Sequence, residues 1–275
     1  MSLGIAFKGP EGIVLAADSR VTIMAQMAGG GPQTTVLPAT YDNATKLLRV
    51  NGQNNVGAVT YGVGALGGKE PRTAHSFMPE FEERLKAKGV QQFTVEEFAS
   101  RISHFFFEQW KALSPQTSPG TPQPDMAFLV GGYDEKQPYG RVFEFFIPNK
   151  PKPRETLPGK QFGLTYGGQT EVVARLLQGF DDVLIKESQN VLKLPDAQRD
   201  ALQKHLAERL GSPIPYQFLP LQDCVDLAIF LIRTTIKLQT WLIGVRGVGG
   251  AIDVATITRT EGFQGIQQKR IMGEI

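Results

Sequence analysis

The chain opens with two apolar runs hinged on a tight turn, and this pairing constrains the fold more than any other feature. Residues 2–8, Ser-Leu-Gly-Ile-Ala-Phe-Lys, lead into Gly9-Pro10-Glu11-Gly12, and residues 13–20, Ile-Val-Leu-Ala-Ala-Asp-Ser-Arg, follow. Apolar and β-branched residues on both sides of a Gly/Pro turn read as an antiparallel hairpin. The chain is thus committed at its start to a sheet-based architecture.

The rest of the sequence extends that sheet and adds helices. Residues 23–43, within an extended segment of about 23–45, read as a long loop because Gly29-Gly30-Gly31-Pro32 disfavours a regular element. Strands follow at 46–50 and 56–62, joined by Asn51-Gly52-Gln53-Asn54-Asn55. A helix over 73–86 is closed by Gly89, and Thr94-Val95-Glu96-Glu97 opens the next with a capping-box pattern. In that second helix Phe98, Ile102, Phe105, Phe106 and Leu113 recur at helical spacing and form a core face.

A Pro/Ser/Thr loop at 114–124 precedes a second hairpin, 126–133 with 141–147, and a strand at 161–165. Helices are expected at 170–184, 194–211 and 219–241, the last with an apolar face at Val225, Ile229, Ile232 and Ile236. Closing strands fall at 252–258 and 265–268. Strands, two helices, strands, helices, strands is an α+β order that stacks two sheets with helices outside them. At 275 residues, with nothing that reads as a linker, the chain is expected to be one domain, residues 1–275, carrying a helical insertion at about 187–220.

Composition excludes several function classes. A formal net charge of +2 without a basic stripe argues against nucleic acid as a partner. No apolar stretch reaches the roughly 18 residues of a membrane span, and no signal peptide precedes Ser2, so a cytoplasmic location is expected. The single cysteine, Cys224, lies in an apolar helical run and reads as a buried structural thiol. His75, His104 and His205 are scattered, with no metal-ligand spacing, and no phosphate-loop motif follows Gly62-Val63-Gly64; neither a metal nor a cofactor is expected.

Ser2 stands directly after Met1. Removal of Met1 would give one residue both a hydroxyl and a free α-amine. A serine hydroxyl is a poor nucleophile near neutral pH, whereas an α-amine with a reference pKa of about 7.7–8.0 keeps a useful neutral fraction there. Nucleophile and base would then sit on the same residue.

Gly12-Ile13-Val14-Leu15-Ala16-Ala17-Asp18-Ser19-Arg20, followed by an apolar strand led by Lys46, resembles the β subunits of the proteasome and its bacterial relatives. Leu129-Val130-Gly131-Gly132-Tyr133-Asp134 and the run from Gly249-Gly250 to Thr258 agree in order and rough spacing. The resemblance covers nearly the whole chain and implies a four-layer α/β/β/α sandwich, the N-terminal-nucleophile hydrolase fold, of β rather than α type. It implies Ser2 as nucleophile, Lys46 lowering the pKa of nucleophile and amine by its field, Asp18 holding Lys46, the Gly62 N–H as oxyanion donor, and Arg20 orienting the cluster. Val21, Ala44, Leu48 and Thr60 would line an apolar substrate pocket.

The sequence departs from that pattern in places. Tyr166, Gly167 and Gly168 occupy a turn where the family commonly has a serine. Val245 and Val248 stand where it has an aspartate and a serine that assist the amine. The nucleophile is Ser where Thr is typical, losing a rotamer-restricting methyl. Tyr166 or Arg246 would have to supply the missing polar groups. Three readings stay open: a peptidase inside a homo-oligomeric assembly of stacked rings, acting on peptides or unfolded protein; a ring or scaffold subunit without activity; and a small-molecule amidase. Neither ring size nor an ATPase partner is written in the sequence.

Overall fold

In the computed structural model, residues 2–28, 34–67, 71–86, 92–113 and 123–270 are described. Strands β1 (Leu3–Lys8) and β2 (Ile13–Asp18) form the expected hairpin, with Lys8 opposite Ile13 and the Gly9 N–H donating to the Gly12 carbonyl at 2.9 Å. Every residue of both strands is buried. A strand covered on both faces is expected to be apolar rather than alternating, as these two are except at their last residues, the buried Lys8 and Asp18.

Six α-helices and two five-stranded antiparallel sheets organise the described residues, beside a short two-stranded pair, β7 (Ala65–Leu66) with β8 (Arg72–Thr73). The first sheet runs β12 (Gly163–Gly168), β1, β2, β13 (Ile252–Thr258), β14 (Gly262–Gln267). The second runs β11 (Lys150–Glu155), β10 (Arg141–Ile147), β9 (Met126–Gly132), β6 (Val56–Gly62), β5 (Leu47–Leu48). No helix among the described residues is long and apolar enough to cross a membrane.

Side chains of successive strand residues point to opposite faces, so each strand feeds two cores. Ala6, Ile13, Leu15 and Ala17 of the first sheet pack with Val59, Tyr61, Ala127 and Leu129 of the second. Their neighbours Leu3, Ile5, Phe7, Val14 and Ala16 pack instead with Val173 of α3 (Glu171–Gln178) and with Cys224, Ala228 and Ile232 of α6 (Leu221–Trp241). A third core joins Phe128 and Phe145 of the second sheet to Phe81 of α1 (Met78–Lys86) and to Phe98, Phe105 and Phe106 of α2 (Val95–Leu113). Burying each such phenylalanine stabilises the fold by about 1.5–3 kcal/mol. Gly4 and Gly167, directly paired on β1 and β12, let the Tyr61 ring rest on the first sheet: an added Cβ would stand 3.0 and 2.3 Å from that ring.

Thr94 and Glu97 form the expected reciprocal cap, the Glu97 N–H reaching the Thr94 hydroxyl and the Thr94 N–H the Glu97 carboxylate. Several elements differ from expectation. The segment 23–43 is not a loop but a hairpin, β3 (Val21–Ala28) and β4 (Thr34–Tyr41), paired from Val21 with Tyr41 to Ala28 with Thr34. The glycine run, within residues 29–33, lies outside the described residues. The first helix begins as a 3-10 turn (Ala74–Phe77) before α1, and Gly89 lies outside the described residues. Most of the segment 114–124, expected to be a loop, also lies outside them.

The expected helix 170–184 is two. α3 ends at Gly179, in the left-handed region at φ 80°, and α4 (Asp182–Leu192) starts from Asp181, whose carboxylate accepts the Leu184 N–H at 3.0 Å. β11 was not anticipated; its Lys-Pro-Lys-Pro-Arg-Glu sequence suits an edge, where proline and charge discourage further pairing. In the expected insertion, α5 (Asp196–Leu210) buries no residue, and a short 3-10 turn (Tyr216–Phe218) leads to α6. The strand expected at 161–165 is displaced to 163–168, so Tyr166, Gly167 and Gly168 are not a turn but ladder residues paired with Ile5, Gly4 and Leu3.

Candidate active site

The start of β1, the end of β2, Lys46 and the end of β6 meet at one edge of the paired sheets. Ser2 is buried there, held on three sides. Its carbonyl accepts the Gln169 N–H at 2.9 Å, its hydroxyl accepts the Gly62 N–H at 2.9 Å, and the next N–H, that of Leu3, donates to Asp18 Oδ1 at 3.0 Å.

Gly62 ends β6 with φ +83°, a conformation that side chains disfavour. A Cβ there would also stand 2.3 Å from the Asp125 carbonyl oxygen. The sequence therefore needs glycine at this position for the N–H to be aimed at Ser2.

Asp18 is completely buried and its carboxylate is saturated. Oδ1 accepts the Lys46 ammonium at 2.7 Å and the Leu3 N–H; Oδ2 accepts the Arg20 and Gly249 N–H groups, each at 3.0 Å. Three of these donors are backbone groups from different segments, so Asp18 is fixed before it fixes Lys46. Lys46 itself is buried. Burial pushes its ammonium below the ordinary lysine range, and the Asp18 carboxylate opposes that push.

Arg20 serves the cluster through its backbone. Its guanidinium makes a bidentate pair with Asp42 at 2.6 and 2.7 Å and reaches the Arg246 carbonyl at 3.3 Å. This pair ties β2 to the chain leaving β4, and it holds the Asp42 carboxyl below the usual carboxylate range.

A small cleft lies against these groups. Ser2, Lys46, Val21, Ala44 and Thr60 line it, joined by Thr45, Tyr61, Val63 and Thr73, which sequence reasoning did not single out. Leu48 does not line it. It is wholly buried on the other face of its sheet with Phe77 and Phe98, because Leu47 pairs with Val59 and Leu48 with Ala58, and parity sends Leu48 toward the helices. The Thr60 hydroxyl is already engaged with the Ala127 carbonyl at 3.1 Å.

Neither substitute for the departures reaches the site. Tyr166 projects into the core beneath α3 and α6, where its hydroxyl accepts from Gln178 Nε2 at 2.8 Å. Arg246 is exposed and meets the cluster through its carbonyl. Val245 is exposed, while Val248 is buried under α6 with its N–H on Gln239 Oε1 at 2.9 Å.

The structure adds a second buried acid that sequence reasoning missed. Asp253 on β13 forms an ion pair with Lys269, and both contact the Ser19 hydroxyl. The available signal was an aspartate inside the apolar run Ile252-Asp253-Val254-Ala255. Lys269 carried none. Among the described residues, no group of three or more His, Cys, Asp or Glu side chains is arranged to hold a metal ion. No family model matches the sequence, and a comparison with curated proteins returns no match.

Proposed function

We propose that this chain is an N-terminal-nucleophile amide hydrolase of the proteasome β-subunit type, with Ser2 as nucleophile once Met1 is removed. The observation that carries the reading is the Gly62 N–H on Ser2 Oγ at 2.9 Å in a cleft shared with Lys46, itself held by Asp18. Two sheets packed face to face, with α1 and α2 against one and α3 and α6 against the other, support a four-layer α/β/β/α arrangement for the fold.

In this mechanism the Ser2 amine, neutral, takes the Oγ proton while Oγ attacks the carbonyl carbon of the scissile amide. The carbonyl π pair moves to oxygen, and the Gly62 N–H is the donor aimed at that charge; losing one such donor typically costs 10²–10³-fold in kcat. The ammonium then returns its proton to the leaving amine as the C–N bond breaks, leaving an ester on Ser2. Water, deprotonated by the same amine, hydrolyses that ester. Lys46⁺ lowers the pKa of the amine by its field and favours the developing negative charge. Val21 and Ala44 make the cleft mostly apolar, which favours uncharged side chains on the acyl side. A homo-oligomeric ring in the cytoplasm would confine such an activity to peptides and unfolded chains.

A second reading, a ring subunit without activity, is favoured by Val245 and Val248, which place no proton acceptor where the family has two. Intact mass decides whether Ser2 carries an amine, and a peptide epoxyketone, which reacts with hydroxyl and amine together, then decides between the readings. Labelling of the parent and not of Ser2→Ala is expected. A processed chain that resists the probe and hydrolyses no fluorogenic peptide would leave the scaffold reading in place.

A further inference from the structure

Beyond β14 the chain is laid back across β13. Gln267 Nε2 donates to the Ile252 carbonyl at 2.7 Å, and the Lys269 N–H donates to Asp253 Oδ1 at 3.1 Å. The Lys269 ammonium then pairs with Asp253 Oδ2 and donates to Ser19 Oγ at 3.2 Å, while that hydroxyl faces Asp253 Oδ2 at 3.5 Å. Asp253 and Ser19 are buried, and the Lys269 side chain is only 15% exposed. None of these groups enters the mechanism above.

Their position does bear on it. Ser19 is the peptide neighbour of Asp18, and Ile252, beside Asp253, is the ladder partner of Asp18. Asp253 itself pairs with Ala17 and so shares the face that packs against the second sheet, the side from which Lys46 reaches Asp18. Two paired carboxylates, Asp18 with Lys46 and Asp253 with the part-buried Lys269, thus lie near one another. Buried charge is tolerated when it is paired and hydrogen-bonded, and this set sums to zero.

We propose that Lys269 is a positioning residue of the Ser2 site: by occupying Asp253 it reserves Lys46 for Asp18 and keeps the charge around Ser2 balanced. The proposal rests on the Ser2 reading above only for its effect on activity. Without Lys269, Asp253 would be a buried acid in search of a cation, with Lys46 close by. The charged groups facing Lys46 are Asp18 from β2, Asp253 from β13 and Lys269 from the segment after β14, with the Arg20–Asp42 pair further out. Burial is the largest influence lowering Lys46 and Asp18 the largest opposing it; of the outer pair, Lys269 lowers Lys46 and Asp253 raises it.

The test compares Lys269→Met, Lys269→Arg, Asp253→Asn and the double variant Lys269→Met/Asp253→Asn in the full chain. Lys46 is followed by NMR titration of its 13Cε resonance, and peptide hydrolysis is followed as kcat/KM against pH. Loss of the Lys269 charge is expected to raise the Lys46 midpoint, and with it the acid limb set by the Ser2 amine, by about one pH unit. Asp253→Asn is expected to move both the other way, while Lys269→Arg and the double variant stay near the parent. A purely structural lysine would not give shifts of opposite sign. A Lys46 midpoint unmoved in folded Lys269→Met and Asp253→Asn overturns the proposal. Should Lys269→Met not fold, a double variant displaced from the parent by a full unit does the same. Absence of Ser2-dependent hydrolysis in the parent counts against the enzyme reading alone, since the Lys46 titration still judges this inference.

Discussion

Gly168 lies directly over Ser2: a Cβ on Gly168 would stand 1.8 Å from the Ser2 carbonyl oxygen. Gly168 also has φ +100° and pairs with Leu3 at the end of β12. Two independent penalties, backbone strain and overlap with a backbone atom, fall on the same substitution. Gly168→Ala is therefore expected to lower stability by about 2–4 kcal/mol and to displace Ser2 from Gly62. Urea denaturation checks the first part, and a midpoint equal to the parent's would refute it.

Lys46 gives the fold a defined alkaline signature. Its folded pKa lies below the ordinary value of 10.5, because burial disfavours the ammonium more than Asp18 favours it. Between the lowered folded pKa and the unfolded one, the unfolded chain binds more protons, so this group's contribution improves as pH rises through that window and is lost as pH falls through the folded pKa. The stability difference between parent and Lys46→Met is expected to move in the parent's favour on going from neutral pH to about pH 10. Chemical denaturation of both proteins across that range measures it; a difference independent of pH would contradict the assignment. At neutral pH, Lys46→Met leaves Asp18 as a buried acid with only backbone donors, at an expected cost of about 3–5 kcal/mol.

Leu48→Ala separates core from pocket. The side chain is fully buried with Phe77 and Phe98, so truncation is expected to cost about 2–5 kcal/mol. In the protein that remains folded, KM for apolar peptides is expected to match the parent. Val21→Ala, which enlarges the cleft itself, is expected to change KM. A KM effect at Leu48 equal to that at Val21 would place Leu48 at the substrate after all.

Asp42→Asn tests the bidentate bridge that Arg20 makes. The Asp42 side chain is 45% exposed, so solvent screening keeps the pair modest and a loss of about 0.5–1 kcal/mol is expected. Because the Arg20 guanidinium holds the Asp42 carboxyl below its usual range, this stability is present above the unfolded carboxylate pKa and disappears as pH falls through the folded one. Thermal melts are expected to separate the two proteins less at pH 3 than at pH 7.

Local chemistry wrote much of this protein directly into its sequence. The hinge at Gly9–Gly12 and the runs beside it define β1 and β2, the Thr94–Glu97 box starts α2, and the phenylalanines spaced along that helix define its buried face. These features depend on neighbours a few residues away, which a sequence displays. Misreadings arose where one local signal was extended too far, as when the glycine run hid the β3–β4 hairpin or Gly179 and Asp181 went unread as a stop and a new start. What the sequence could not determine is which side chains face one another across the two sheets. Strand periodicity gives the parity of a residue and not its partner, so the guanidinium of Arg20 went to Asp42, Leu48 went beneath the helices, and Lys269 reached back to Asp253, more than a dozen residues away. Those pairings follow from how the sheets stack and where the chain returns, and only the tertiary structure decides them.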